Sequence, residues 1–345
     1  MRILIKGTNW IGDAVMSIPA VRRIRSAFPE AFIALHTRKW AEGVFQDSGL
    51  FDEIVSYEPS RTRFRTVLEQ AGNIRSRSFD VAVILPNSFE SALTVALASV
   101  PRRIGYRTEG RGFLLTESVP VPEWKGERHE SQFYLNLADL VIDTLGGEKP
   151  GNNEASSLSV SNARKQAAFE RLRTLGINNE DKIIAIGAGS TNSMAKRWPA
   201  EYFARLCDSL SEDLGAKIVL LGARNEADVG EVLRNNAEVE VHDLTGATDL
   251  AMATAILSIV DLFVSNDMGL AHIAAGLGVP TLTIFGPTNE TTTMPLGPKA
   301  RFIREVVDCS PCMLRECPID HRCMTRVTPD RVFRAASELL HERLS

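Results

Sequence analysis

The sequence predicts an α/β protein made of two similar halves, each with a parallel, doubly wound sheet. Short apolar runs alternate with amphipathic helical patterns along the chain, as expected when strands alternate with helices. A segment rich in glycine, asparagine and serine, residues 146–157, interrupts this alternation near the middle. Polar loops follow the apolar runs in both halves, at the strand ends where open α/β sheets bind ligands. We therefore expect a first domain at 1–150, a second domain at 158–327 and a closing helix at 328–345.

The totals exclude several classes of protein. The 345 residues are enough for two domains, and 44% of them are hydrophobic, which is sufficient for two cores. The net charge of −4 argues against a general nucleic-acid-binding protein, because such proteins usually carry a strong positive excess. No apolar run approaches the roughly 18 residues of a membrane-spanning helix, and the chain begins with a strand pattern instead of a signal peptide. The odd number of cysteines, five, fits a reducing compartment, so we expect a cytoplasmic protein.

The first half contains four predicted strands and four predicted helices. The strands are expected at 2–6, 32–37, 53–56 and 80–85, and the helices at 14–27, 40–47, 67–74 and 130–145. Asp13 stands in the loop after the first strand, where it is either a carboxylate of a ligand site or a charge at the helix N-terminus. Pro19 either kinks the first helix or marks its true first turn. Gly7 and Gly12 do not make the dinucleotide fingerprint, which needs three glycines at fixed offsets, so a nicotinamide enzyme is weakly supported.

Polar and basic residues crowd the loops of this half. Asn87 and Ser88 follow the strand that ends at Leu85. The basic residues are Arg61, Arg63, Arg65, Arg102, Arg103, Arg107, Arg111, Lys125 and Arg128. Such a set is usually a solvated face, but many of these residues fall in loops and not on helical stripes, so an acidic acceptor docking on this half is the alternative.

The second half repeats the pattern. Strands are expected at 182–186, 217–221, 261–265 and 280–285, and helices at 163–175, 203–214, 270–277 and from 328. The small-residue loop 187–191, which includes Ser190 and Thr191, can hold phosphate oxygens, and Lys196 beyond it can neutralise a diphosphate. Glu226 is either a charge in the first turn of a helix or a partner for ribose hydroxyls.

One turn of the second half has the features of an anion site. Asp267, Met268, Gly269 and Leu270 stand where a buried strand ends and a short helix begins. Gly269 lets the backbone approach a ligand closely, and the N–H groups of the first helical turn suit a diphosphate. The alternative is that Asp267 merely caps the helix and that His272 is a core histidine. We favour a nucleotide-sugar site.

A cysteine-rich segment stands between the last predicted strand and the closing helix. It contains Cys309, Cys312, Cys317, His321 and Cys323. Cysteine and histidine at this spacing can ligate zinc, but the gaps do not form two clean pairs. We expect packed thiols and no metal, with a structural zinc site as the alternative.

Four motifs, in this order along the chain, resemble those of the lipopolysaccharide heptosyltransferases, and most closely the type II branch that adds the second inner-core heptose. They are Asn9-Trp-Ile-Gly-Asp13, Leu85-Pro-Asn-Ser88, Ala195-Lys-Arg-Trp-Pro199 and Asn266-Asp-Met-Gly-Leu-Ala-His272. The resemblance spans nearly the whole chain. It implies a GT-B fold, in which two Rossmann-like domains face a cleft and the closing helix packs back on the first domain. It also implies the donor ADP-L-glycero-D-manno-heptose, an acceptor of heptose and Kdo anchored in lipid A, and work at the cytoplasmic face of the inner membrane as a peripheral protein.

The resemblance also assigns roles to residues. It makes Asp13 the general base, Lys196 the diphosphate contact, Glu226 a ribose contact and Thr248 part of the adenine loop. The remaining donor-binding candidates are Ser190, Thr191, Asp267, Met268, Gly269, Leu270 and His272. The acceptor-binding candidates are Asn9, Trp10, Asn87, Ser88, Arg61 and Arg63.

Elementary chemistry agrees with these roles. Inverting transfer needs a base near the acceptor hydroxyl and positive stabilisation of the leaving diphosphate, which helix N–H groups and Lys196 can supply. The sequence has no Asp-x-Asp pair to hold a divalent cation, so we expect no cofactor and metal-independent transfer. Two alternatives stay open: a GT-B-type nucleotide-sugar epimerase, which would need a closed acidic pocket, and a non-catalytic nucleotide-binding protein.

Overall fold

The computed structural model describes residues 1–151 and 157–342. It divides into two compact units, Met1–Ser156 and Ser157–Ser345. Residues 152–156 of the predicted linker lie outside the described residues. The domain boundaries expected from the sequence stay predictions.

The first unit is built on a parallel sheet of six strands in the order β3-β2-β1-β4-β5-β6. The strands are β1 (Arg2–Lys6), β2 (Phe32–Arg38), β3 (Glu53–Tyr57), β4 (Val81–Ile84), β5 (Arg102–Tyr106) and β6 (Glu117–Val119). In register, Ile3 lies between Ile33 of β2 and Val81 of β4. The strand order reverses between β1 and β4, and ligands of open α/β sheets bind beyond the carboxyl ends of the two strands at such a point.

Helices cover this sheet. They are α1 (Ile11–Met16), α2 (Ile18–Ala27), α3 (Glu42–Phe45), α4 (Arg63–Arg75), α5 (Phe89–Leu97) and α6 (Glu130–Leu145). The helix predicted at 14–27 is divided into two at Ser17. Pro19 stands in the first turn of α2, where its missing N–H costs nothing, so the second of its two interpretations is confirmed. Asp13 therefore lies in the first turn of α1 and not in a loop.

The second unit repeats the architecture with a parallel six-stranded sheet in the order β12-β11-β10-β7-β8-β9. The strands are β7 (Lys182–Gly187), β8 (Ala216–Leu220), β9 (Val241–Asp243), β10 (Leu262–Asn266), β11 (Thr281–Phe285) and β12 (Ala300–Arg304). Here the order reverses between β7 and β10. The loops that follow these two strands are the ones in which the sequence predicts a phosphate site.

The helices of the second unit pack in two groups. They are α7 (Asn162–Arg173), α8 (Ala200–Leu214), α9 (Ala227–Asn236), α10 (Leu250–Leu257), α11 (Gly269–Gly276), α12 (Glu290–Thr293), α13 (Arg322–Thr325) and α14 (Pro329–His341). Helix α8 contacts α9 and α14, whereas α10 contacts α7 and α11. The closing helix α14 also contacts β10 and β11 of its own unit, and its expected packing on the first unit stays a prediction.

The sequence patterns did not predict several elements, among them the strands β5, β6 and β12 and the helix α5. Strand β5 begins with two arginines, which look like part of a basic surface, and β6 and β12 lie at sheet edges where apolar runs are short. Helix α5 starts directly after Ser88, whose hydroxyl accepts a hydrogen bond from the Ser91 N–H at 3.3 Å and so caps the helix. The motif loop at 85–88 is therefore a strand-to-helix turn.

Candidate active site

Asn266 joins the two loops at the reversal point of the second sheet. This fully buried side chain ends β10. Its amide N–H donates to the carbonyls of Ala188 at 2.6 Å and Gly189 at 3.3 Å, and its oxygen accepts from the Trp198 N–H at 2.9 Å. Asn266 thus fixes the 187–191 loop against the segment that follows Lys196. Asn266 is the first residue of the motif 266–272, but nothing in the sequence indicated that its side chain holds the two loops together.

Lys196 and Asp267 form an ion pair within this site. The Lys196 Nζ lies 2.7 Å from Asp267 Oδ2, and the Thr288 hydroxyl donates to the same oxygen at 2.8 Å. The Asp267 carboxylate is buried, whereas Lys196 keeps part of its surface in solvent. The charge of the Asp267 side chain is therefore already compensated, and the groups of this turn that can bind an anion are the backbone N–H groups where α11 begins. Among the residues that the structure describes, no side chain caps α11.

Glu226 lies against the glycine loop. The carboxylate is 3% exposed, accepting from the Thr191 hydroxyl at 3.1 Å and from the Ala223 N–H at 2.8 Å. A Cβ atom at Gly189 would meet the Glu226 carboxyl carbon at 2.2 Å, so any side chain at this position would displace the Glu226 carboxylate. The structure therefore brings Glu226 against Thr191, which lies 35 positions away in the sequence, and against Gly189 of the same loop.

The other donor candidates lie around the same loops. Ser190 is buried in the glycine loop, and Leu270 and His272 are buried on α11. Thr248 is half-buried in the segment between β9 and α10. Their contacts with a nucleotide stay predictions.

In the first unit, Asp13 has a partner that the sequence did not indicate. Asp13 is half-buried, and the Tyr134 hydroxyl of α6 donates to its Oδ1 at 3.3 Å. Burial, and then the negative charges of Asp13 and Glu130, raise the pKa of Tyr134 well above its ordinary value. Tyr134 therefore stays protonated and acts as a hydrogen-bond donor to the carboxylate at neutral pH.

Arg111 has a structural role in the interior of the first unit and is not part of a surface that could bind an acidic acceptor. Its side chain is fully buried, and its guanidinium donates to the carbonyls of Tyr106 at 2.8 Å and Ser88 at 3.1 Å and also to that of Pro86. Burial lowers the pKa of Arg111 to about 10. The sequence interpretation of Arg111 as a surface residue is thus wrong. The side chain holds the loop at 85–88 in place.

Some of the remaining acceptor-binding candidates already make hydrogen bonds within the protein, and others are exposed or have an unused acceptor. Ser88 is committed to capping α5, whereas the Asn87 Oδ1 is a buried acceptor without a partner in the described part of the chain. Asn9, Trp10, Arg61 and Arg63 are exposed. By contrast, the guanidinium groups of Arg102 and Arg103 donate to Glu117 and to backbone carbonyls, so the open basic surface is smaller than the sequence suggests.

The cysteine-rich segment surrounds a separate small cavity of about 60 Å³ in the second unit. Its lining includes Cys309, Cys312, Cys317, His321 and Cys323, and every cysteine is a free thiol. Burial, and then the neighbouring thiols of Cys309, Cys317 and Cys312, raise the pKa of Cys323 to about 11. Among residues 1–151 and 157–342, no three side chains of the metal-ligating types already stand in a metal-holding arrangement.

None of the helices in the described residues is long and apolar enough to cross a membrane.

The comparisons with known proteins agree on one family. The model of glycosyltransferase family 9, described as heptosyltransferase, matches residues 67–322. The chain is 28% identical over 348 residues to lipopolysaccharide heptosyltransferase 2 of Escherichia coli K12 and 26% identical over 349 residues to that of Salmonella typhimurium LT2, covering 99% of both chains in each case.

Solved structures show the same likeness. The E. coli ADP-heptose lps heptosyltransferase II superposes with a TM-score of 0.84, 28% identity and 100% coverage of both chains. A glycosyl transferase family 9 structure from Veillonella parvula also gives a TM-score of 0.84, at 21% identity over 99% of this chain and 97% of the other. The predicted GT-B fold class is confirmed.

Proposed function

Because the chain belongs to glycosyltransferase family 9, the heptosyltransferase family, we propose that it transfers L-glycero-D-manno-heptose from ADP-heptose to the heptosyl-Kdo inner core of lipopolysaccharide. The similarity to lipopolysaccharide heptosyltransferase 2 over 99% of both chains supports this substrate pair. The structural observation that carries the proposal is the Lys196 and Asp267 ion pair at the reversal point of the second sheet. The family assignment favours transfer over the epimerase and the non-catalytic protein.

The second unit holds the donor. The first-turn N–H groups of α11 receive the diphosphate, with Met268 and Gly269 at the point of closest approach. Lys196 pairs with the Asp267 carboxylate and also contacts the phosphates. The pairing matters because the Asp267 charge, if uncompensated, would repel the diphosphate. As ADP leaves, these groups stabilise the charge that develops on its β-phosphate, which is the function that a metal ion has in other transferases.

Glu226 binds the ribose. A carboxylate has about four lone-pair positions, of which Thr191 and Ala223 occupy one each. The remaining positions accept hydrogen bonds from the ribose hydroxyls. Ser190 and His272 complete the donor site, and Thr248 contacts the adenine.

The first unit binds the acceptor, and Asp13 is the general base. Asp13 takes the proton of the acceptor hydroxyl, the oxygen attacks the anomeric carbon of the heptose with inversion, and the bond to the ADP phosphate breaks. The Tyr134 hydrogen bond orients the carboxylate, and its place in the first turn of α1 stabilises its negative charge. Asn9, Trp10 and the unpaired Asn87 Oδ1 contact the acceptor sugar, while Arg61 and Arg63 contact its acidic groups.

The acceptor's lipid anchor requires contact with a membrane surface, and the first unit has a suitable face. Phe64 of α4 is 70% exposed and Phe113 of the turn Arg111–Leu114 is 76% exposed. Helix α4 contacts α5, which in turn contacts this turn, so both rings lie on elements that contact α5. The exposed Arg61 and Arg63 stand beside Phe64. Exposed aromatic and basic groups together suit an anionic lipid surface.

Product formation tests the proposed activity. The protein is incubated with ADP-heptose and heptosylated Kdo-lipid A in the presence of a chelator, and the acceptor is analysed by mass spectrometry. We expect the acceptor mass to increase by one heptose unit. An unchanged acceptor, with ADP-heptose either intact or converted to another sugar nucleotide, would remove the transferase proposal in favour of a binding protein or an epimerase.

Vesicle sedimentation tests the membrane contact separately. The paired change of Phe64→Ser and Phe113→Ser should reduce binding to anionic vesicles, whereas zwitterionic vesicles should bind the wild type weakly. Val306→Ser is the matched control, because Val306 is 80% exposed but lies in the second unit. Equal vesicle binding by all three proteins would exclude this face.

A further inference from the structure

Residues 305–323, which join β12 to α13 and include the first two residues of that helix, bring five metal-ligating side chains to one cavity. Cys309, Cys312, Cys317, Cys323 and His321 all line the same small space of about 60 Å³. Four of the five cysteines of the chain lie here, and the fifth, Cys207, is in the core of α8. The wall of this cavity is almost entirely sulfur and apolar groups. Such a space does not suit a phosphate or a sugar, whereas thiolates are good ligands for soft metal ions.

His321 is oriented as metal-binding histidines are. Its Nε2 lies 2.6 Å from the Ala195 carbonyl oxygen, and a carbonyl can only accept, so Nε2 carries the proton. The lone pair of the neutral ring is then on Nδ1. A backbone carbonyl that fixes the tautomer in this way is the usual support of a ligating imidazole.

The same segment makes hydrogen bonds to the turn that carries Lys196. The Ala195 N–H donates to the Arg315 carbonyl at 3.0 Å, and the Ser193 hydroxyl lies 3.3 Å and 3.2 Å from the carbonyls of Leu314 and Arg315. The Met313 N–H donates to the Pro287 carbonyl at 2.8 Å, next to Thr288, which contacts Asp267. The segment therefore supports both sides of the Lys196 and Asp267 pair.

We propose that this segment binds one metal ion of the zinc or iron class through its cysteine thiolates and His321 Nδ1, and that the ion fixes the turn carrying Lys196. Four of these five donors would complete a tetrahedral site. Residues 305–321 contain no helix or strand, so the segment can contract around an ion. This contraction is necessary, because within the described residues the donors do not already stand at metal-bond distances. Binding releases the thiol protons to solvent.

Metal analysis tests the site without any assay of transfer. The protein is purified without chelators, and zinc and iron are measured by plasma mass spectrometry. We expect about one equivalent per chain, which is lost in the double variant Cys309→Ser with Cys312→Ser, because only three donors then remain, and retained in Cys207→Ala, the matched thiol outside the segment. The double variant Cys312→Ser with Cys317→Ser is the second test in case the first fails to fold, as judged by circular dichroism. Wild-type protein that neither contains metal nor takes up added Zn²⁺ or Co²⁺, or a segment variant that retains full occupancy, would overturn the proposal.

The proposed effect of the ion on the turn that carries Lys196 rests on the proposed function, and ADP affinity measures it separately. Removing the ion should weaken ADP binding several-fold, and adding Zn²⁺ should restore it. Unchanged ADP affinity in metal-free protein would remove the coupling. A protein that contains the ion but binds no ADP, with or without the metal, would contradict the proposed donor site and would still support the metal site.

Discussion

Lys6 is a residue whose contribution to stability should depend on pH. It is 3% exposed at the end of β1, and its Nζ lies 3.0 Å from His36 Nδ1 and 2.9 Å from Gln70 Oε1. Burial, and then the positive charge of Arg38, lower the pKa of Lys6 to about 7, although Glu90 opposes this. Between pH 7 and its unfolded value of 10.5, the unfolded chain binds a proton that the folded chain does not. Stability should therefore rise with pH in this window, by up to about 1.4 kcal/mol per pH unit.

Lys6→Met removes this titration. We expect the free energy of unfolding of the wild type to rise relative to that of Lys6→Met between about pH 7 and pH 9. Urea unfolding of both proteins at several pH values measures the difference. The exposed Lys39 supplies the control, because Lys39→Met should leave the pH dependence unchanged. A difference between wild type and Lys6→Met that is the same at every pH would refute the lowered pKa.

Lys196 and Asp267 should affect donor affinity as a pair. Lys196→Ala removes a cation from the proposed diphosphate site and leaves Asp267 uncompensated, so ADP should bind about 10- to 100-fold more weakly. The double variant Lys196→Ala with Asp267→Asn removes the repulsive charge and should recover part of this loss. Isothermal titration with ADP measures both. Lys182→Ala, at the opposite end of β7, is the control and should bind normally. Wild-type affinity in Lys196→Ala would exclude Lys196 from the site.

At the scale of elements, strands and helices with a strong apolar pattern were predicted well, whereas helix turns and edge strands without such a pattern were not. Strand β1 and helix α6 begin and end where the sequence predicts, because β1 is an unbroken buried run and α6 combines a long apolar stripe with a glycine at its end. Helix α4 starts four residues earlier than predicted, at Arg63, since the Thr62 hydroxyl caps it and no apolar period reveals that first turn.

The glycine loop after β7 tests an element-scale expectation. Gly189→Ala should abolish ADP binding or reduce it strongly, because the added Cβ would lie 2.2 Å from the Glu226 carboxyl carbon and would displace the proposed ribose contact. Gly72→Ala is the control, since a Cβ there meets nothing within 4 Å. Titration with ADP and a thermal unfolding curve for each variant separate lost binding from lost folding. A folded Gly189→Ala protein with normal affinity would contradict the packing described for Glu226.

At the scale of the whole molecule, the motifs indicate the family, but the contacts within each site come from distant parts of the chain. The four motifs could be recognised because each is a continuous stretch. The Tyr134 contact with Asp13 joins residues 121 positions apart, and the Lys196 contact with Asp267 joins residues 71 positions apart. Neither pairing has a local signal in one sequence. The buried position of Arg111 was missed for the same reason, since its partners are backbone carbonyls whose position depends on the tertiary fold.

The central claim is that the first unit supplies the base while the second unit holds the donor. Asp13→Asn keeps the size of the side chain and can still receive the Tyr134 hydrogen bond, but it cannot take a proton. The substitution should leave ADP binding unchanged, because every residue proposed to bind the nucleotide sugar belongs to the second unit.

The most direct test is to measure kcat and ADP affinity of the Asp13→Asn protein together. We predict that kcat falls by about 10² to 10⁴ while ADP binds as it does to the wild type. A variant with near-normal kcat would contradict the claim, and it would leave Asp13 as a helix-terminal charge worth roughly 0.3 to 1 kcal/mol of stability.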